Sequence, residues 1–172
     1  MDASKKFVHA LNSPLFVNKN VNNHFSFANS IWKTGDYVIM RKDDRFNYRK
    51  PKDLFGKTIG IRLGFGYGVL DEHFASGQIK SHLAGDNKKL YKMLERGRVD
   101  AIIGNEHVTP YEMKQLGIDT SQYVFADVPI YEFDLMPMIH NDYKEFQDAM
   151  NAFIDQSKQN GLLDRIADKY LN

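Results

Sequence analysis

Hydrophobic positions change their spacing several times between residues 57 and 126. Thr58, Ile59, Ile61 and Leu63 form a short, partly β-branched run of the kind found in a buried strand. Val99 to Gly104 (VDAIIG) and Val124 to Ala126 repeat that pattern, and Gln78 to Leu83 is a further strand. Helical spacing separates them. Leu90, Met93 and Leu94 share one face of a helix from Asn87 to Arg96, with Asp86 as its N-cap and Gly97 as its stop. A second helix runs from about Glu106 to Leu116 and ends at Gly117. Short buried strands alternating with helices predict an α/β sheet, largely parallel, with right-handed crossovers.

The flanks read differently. Asp36 to Lys42 (DYVIMRK) is a strand, and Pro51 to Leu54 one helical turn, since proline suits the first helical position. Phe133 to His140 is extended and apolar. Tyr143 to Gln159 is an amphipathic helix that places Phe146, Met150, Phe153, Ile154 and Ser157 on one face. Gly161 interrupts it, and Leu162, Leu163, Ile166 and Tyr170 form a last short helix. Residues 2–24 fit a short helix or a strand, broken at Asn12-Ser13-Pro14, with a polar turn from Asn18 to Asn23.

One stretch carries candidate chemistry. Gly64, Phe65, Gly66, Tyr67 and Gly68 follow the Thr58–Leu63 strand, and Val69, Leu70, His73 and Phe74 then begin a helical pattern. The glycines permit backbone that residues with a Cβ resist. Such a turn aims unpaired N–H groups of a helix start outward, where they hold an anion. A dinucleotide site is not favoured, because the glycine spacing is not Gly-x-Gly-x-x-Gly and no acid stands at the end of a second strand, where a ribose partner would be expected. Ligands of open α/β sheets sit beyond the carboxyl ends of the strands. That rule singles out the 64–68 turn and the loop at 104–107.

Composition removes other classes. Lys+Arg is 23 and Asp+Glu is 22, a net charge of +1. No clustered basic excess marks a nucleic-acid partner. Arg41, Lys42, Arg45, Arg49, Lys50 and Lys52 are interrupted by Asp43, Asp44 and Asp53 and read as a solvated surface turn. The absence of cysteine excludes disulfides and thiolate metal sites. The six histidines lack metal-ligand spacing, so neither metal nor cofactor is expected. No apolar run is long enough to span a membrane, and the N-terminus does not resemble a secretory signal. Glu106 and His107 are the only adjacent titratable pair near the candidate loops, without a nucleophile–base–acid set, so an enzyme is not expected.

Four segments, in order, carry a family resemblance: FSFANSIWKTGDYVIMRKDD, DLFGKTIGIRLGFGYG, NKKLYKMLERGRVDAIIGNEHV and FDLMPMIHNDYKEFQDAMNAFIDQSKQNGLLDRIADKYLN. From His24 onward the chain resembles the amino-acid-type periplasmic solute-binding proteins of ABC transporters. The resemblance implies an α/β fold of the type II periplasmic-binding-protein kind, with a hinge of two crossing strands. It implies one complete lobe at residues 46–131 and a partial first lobe. Residues 1–45 would hold part of that lobe with the first hinge strand, and 132–172 the return hinge strand and closing helices. The apolar faces of Ile31–Trp32 and of the closing helices would then be covered by a missing piece or by a second copy of the chain, as a homodimer.

The resemblance further implies a small solute, an amino acid or small carboxylate, captured between lobes in the periplasm and delivered to an ABC permease or a sensor partner. A sensory or degenerate binding module, or a dehydratase on this fold, are the alternatives. In the family a small hydroxyl residue in the glycine turn helps hold the ligand carboxylate; Phe65 and Tyr67, between Gly64, Gly66 and Gly68, occupy those positions. An acid usually follows the VDA strand to receive the ligand amino group, where this chain has Asn105 and then Glu106. Glu106 would supply the charge or favour the start of the next helix. The family's carboxylate-clamping arginine of the first lobe has no secure match. Trp32 and Arg62 are further ligand candidates, against packing for Trp32 and a surface role for Arg62.

Overall fold

The computed structural model describes residues 6–17 and 23–171. In chain order the strands are β1 (Val8–Asn12), β2 (Phe25–Phe27), β3 (Trp32–Arg41), β4 (Thr58–Arg62), β5 (Lys80–Ala84), β6 (Ala101–Asn105), β7 (Tyr123–Phe125) and β8 (Tyr131–His140). The α-helices are α1 (Asp71–Ala75), α2 (Asn87–Glu95), α3 (Val108–Gln115), α4 (Lys144–Gln159) and α5 (Leu162–Leu171). The chain divides into two compact units, Met1–Thr34 with Phe133–Asn172, and Gly35–Glu132. Strands β3 and β8 each run from one unit into the other. The polar turn expected at Asn18 to Asn23 lies almost wholly outside the described residues.

In the Gly35–Glu132 unit, β4 pairs in parallel with β5 on one side and β6 on the other. Strand β3 pairs antiparallel with β6 and with β7. The sheet is therefore parallel only at β4, β5 and β6, less parallel than the periodicity suggests. β3 arrives from the other unit rather than from a crossover helix, and nothing obliges it to run with its neighbours.

Both faces of this sheet are covered, which explains why the strands are continuously apolar rather than alternating. Val38, Met40, Ile59, Ile61, Ala101 and Ile103 point to one side, where Leu54, Leu70, Ile79 and Tyr67 complete a core. Ile39 and Ile102 point to the other, against Leu90, Tyr91, Met93 and Leu94 of α2 and Met113 of α3. Helix α2 starts where Asp86 accepts the Lys89 N–H at 2.7 Å and stops at Gly97, which has φ of +63°. Helix α3 starts at Val108, two residues later than expected.

In the other unit, the end of β8 is flanked antiparallel by β1 and by β2. Phe25 and Met138 form one small core with Phe7, Val17 and Phe27, while Ala28, Ile139 and Ile154 form another with Ile31 and Met150. Only part of the apolar face expected on α4 is covered. Ile154 and Ser157 are buried, but Phe146 and Phe153 are exposed. Segment Val8–Asn12, open between helix and strand in sequence, is a strand because β8 offers it an edge.

Among the described residues no helix is long and apolar enough to cross a membrane. A Cβ at Gly104 would collide with the Thr109 hydroxyl and lie 2.9 Å from Ile39 Cδ1, whereas one at Gly64 would meet nothing within 4 Å. Gly104→Ala is therefore expected to destabilise the protein by about 1–3 kcal/mol through overpacking. Gly64→Ala should cost about 1 kcal/mol, from its φ of +83° alone. Urea midpoints of the two variants check this ordering.

Candidate functional site

The carboxyl ends of β4, β5 and β6 lie at one end of the Gly35–Glu132 unit, beside the point where β3 enters it, since Asp36 is in register with Asn105. The sheet brings Arg62, the 64–68 turn, Asn105 and Glu106 to this end. Trp32 starts β3 within the other unit, half-buried, and its indole N–H is buried with no hydrogen-bond partner.

The glycine turn differs from the expected anion cradle. It leads into a single 3-10 turn, Gly68–Leu70, and then a helix of 5 residues. So short a helix adds little dipole. Its leading donor is also taken: the Tyr67 N–H donates to Asp71 Oδ1 at 2.8 Å. The chain's own carboxylate fills the place offered to an anion. Tyr67 is no cleft-lining side chain either. Its ring is 4 % exposed, within the core, and its hydroxyl accepts the Arg62 backbone N–H at 2.7 Å. Burial pushes the Tyr67 phenol above its ordinary range. Phe65 is the opposite case, 65 % exposed and in reach of the Arg62 guanidinium, whose carbon lies 5.2 Å from the ring centroid.

At the end of β6, Asn105 is engaged on both sides of its amide. Its oxygen accepts the N–H groups of His107 at 3.1 Å and Val108 at 3.3 Å. Its nitrogen donates to Gly35 O and to Asp36 Oδ1, both at 3.2 Å. Asn105, not Glu106, thus satisfies the start of α3. Glu106 turns back instead, accepting the Gly35 N–H at 2.8 Å with His107 Nε2 at 3.8 Å.

Asp36 was not among the residues singled out from sequence. Its carboxylate accepts the Tyr131 hydroxyl at 2.9 Å and the Asn105 amide at 3.2 Å. Burial raises its pKa, the two donors partly offset that, and the nearby Glu106 adds repulsion. Tyr131 is driven well above the ordinary phenol range, by burial first and by the Asp36 charge second. An acid opening an otherwise apolar strand was the available signal, but its neighbours come from segments about 70 and 95 residues away.

A raised carboxyl pKa means that the folded state binds a proton more tightly than the unfolded chain. Stability contributed by Asp36 is therefore present below the ordinary value of 3.8 and is lost as pH rises toward the folded value. The stability of Asp36→Asn relative to the native chain should rise across that window and then level off. Urea midpoints of both proteins, measured from acid to neutral pH, give the difference curve.

Solved structures of similar fold include AbpA, an amino acid ABC transporter substrate-binding protein from Streptococcus pneumoniae bound to L-arginine. It is 19% identical over 94% of this chain and 65% of its own, with a TM-score of 0.70. A mutant of ArgBP from T. maritima is 18% identical over 90% of this chain and 65% of its own, also at 0.70. The GluR0 ligand binding core in complex with L-glutamate is 11% identical, covering 91% of this chain and 69% of its own, at 0.72. These likenesses establish the type II periplasmic-binding-protein fold. The chain spans about 65% of the length of AbpA and ArgBP. No curated protein sequence matched. The model of the bacterial extracellular solute-binding proteins, family 3, matches residues 3–172, and the chain belongs to that family.

Proposed function

We propose that this chain is an amino-acid solute-binding protein of an ABC-type uptake system, or part of one, acting in the periplasm and delivering its solute to a membrane permease. The family match over residues 3–172 carries this reading. The similar folds of AbpA bound to L-arginine and of ArgBP support an amino acid, or a related small polar solute, as the ligand class. The strand-end face of the Gly35–Glu132 unit is the place for it. Half-buried side chains of both signs stand there, Arg62 at the end of β4 and Asp36 and Glu106 near the end of β6. A zwitterion needs both signs in a partly desolvated setting, where hydrogen bonds to charged groups are strongest. Asn105 contributes by holding the Asp36 carboxylate rather than by offering its own oxygen, which α3 already uses.

A sensory module is the second reading. It is favoured by the fold shared with the GluR0 core and by the absence of a free acid at position 105. Both readings require solute binding. A thermal-shift screen of the proteinogenic amino acids and small carboxylates is the direct test. A solute present at one hundred times its dissociation constant adds about 2.7 kcal/mol, raising Tm by several degrees for a chain of this size. No shift with any compound overturns both readings.

A further inference from the structure

We propose that the Arg62 side chain is a carboxylate-binding group, held ready by a hydrogen-bonded relay through Asn87, Glu112 and Tyr91. The proposal deepens the amino-acid reading and rests on it for the ligand's identity, while the anion chemistry rests on the geometry of Arg62.

Arg62 ends β4 on the strand-end face. Its Nη1 donates to Asn87 Oδ1 at 2.9 Å. The other end of the Asn87 amide donates to Glu112 Oε2 at 2.7 Å, and the Tyr91 hydroxyl donates to the same oxygen at 2.5 Å. The relay has one direction only. A cation at one end and a carboxylate at the other fix which way the Asn87 amide faces. Tyr91 is 2 % exposed, and burial followed by the Glu112 contact raises its phenol, so it stays a donor. Glu112 is linked to Arg62 only through the Asn87 amide, so it steadies the guanidinium without pairing with it. Arg62 forms no ion pair among the described residues.

The forked geometry then selects the ligand. With Nη1 committed to Asn87, the edge that remains is Nε with Nη2. The Nε is buried and makes no hydrogen bond. A buried donor left without a partner is costly, and a ligand oxygen at this atom would relieve that cost. A planar carboxylate approaching this edge accepts from both nitrogens at once, the bidentate pairing for which guanidinium is suited. Phe65 lies over the group and is 65 % exposed, so it can move aside without disturbing the core. In the neighbouring turn the Tyr67 N–H is already taken by Asp71.

The test follows the Arg62 Nε–H resonance by NMR in the full chain during titrations with acetate and with acetamide, its uncharged counterpart. Acetate is expected to shift the signal saturably and acetamide is not. Arg62→Gln, followed by the backbone amide signals of residues 62–66 because it lacks the guanidinium resonance, should weaken acetate binding about tenfold or more. Asn87→Ala should weaken it in the same direction, with the acetate-induced shift as the readout rather than stability. A signal that acetate leaves unmoved, an equal response to acetamide, or undiminished acetate binding by Arg62→Gln overturns the proposal. Binding of amino acids with an unmoved Arg62 signal overturns this proposal alone. An acetate response without any amino acid raising Tm sustains the anion site and removes the amino-acid reading.

Discussion

Strand β4 is the element on which the Gly35–Glu132 unit depends. It is paired in parallel on both edges and covered on both faces, so every one of its positions is constrained. Gly60 shows how tightly: a Cβ there would lie 3.0 Å from Ile102 and 3.1 Å from Leu90. That close approach lets α2 settle on the sheet, and α2 in turn carries Asn87 and Tyr91 to Arg62. At the end of the strand, the Arg62 backbone is secured by the buried Tyr67 hydroxyl. Core packing and the placement of the candidate site are thus consequences of the same strand.

The strand-end face is more self-satisfied than an anion cradle would be. Asp71 takes a donor of the glycine turn, Asn105 serves the start of α3, and Glu106 holds Gly35 within β3. These contacts answer the requirement that half-buried polar groups find partners. What they leave over is informative. Among the described residues the buried Arg62 Nε has no hydrogen-bond partner, and the Asp36 carboxylate accepts from the neutral donors Asn105 and Tyr131. Both lie on the strand-end face of the Gly35–Glu132 unit.

Most elements were legible because they rest on local signals, and the family because four segments in order resemble it. Proline at Pro51, the Asp86 cap, the Gly97 stop and the β-branched run of β4 act within a few residues of themselves. The polar contacts were less so. Tyr67 was judged by its place in a turn, although the core below claims its ring. Glu106 was judged by its closeness to a helix start, which Asn105 serves instead. Asp36 passed unnoticed because Tyr131 and Asn105 reach it only after β3 and β6 pair.

The sequence by itself determined the alternation of strands and helices, the helix limits set by caps and glycines, and the membership of a solute-binding family. The elements follow from hydrophobic period and backbone preference, which act over one or two turns of chain, whereas the family rests on the likeness of four segments taken in order. Only the tertiary structure decided that β3 runs against β6 and β7, that β1 is a strand, and which polar groups are already partnered. Pairing direction and hydrogen-bond partners are set between segments far apart in the chain. The glycine turn makes the difference concrete: its backbone was readable from Gly64, Gly66 and Gly68, but the occupant of its donor, Asp71, and the availability of Arg62 were fixed by packing.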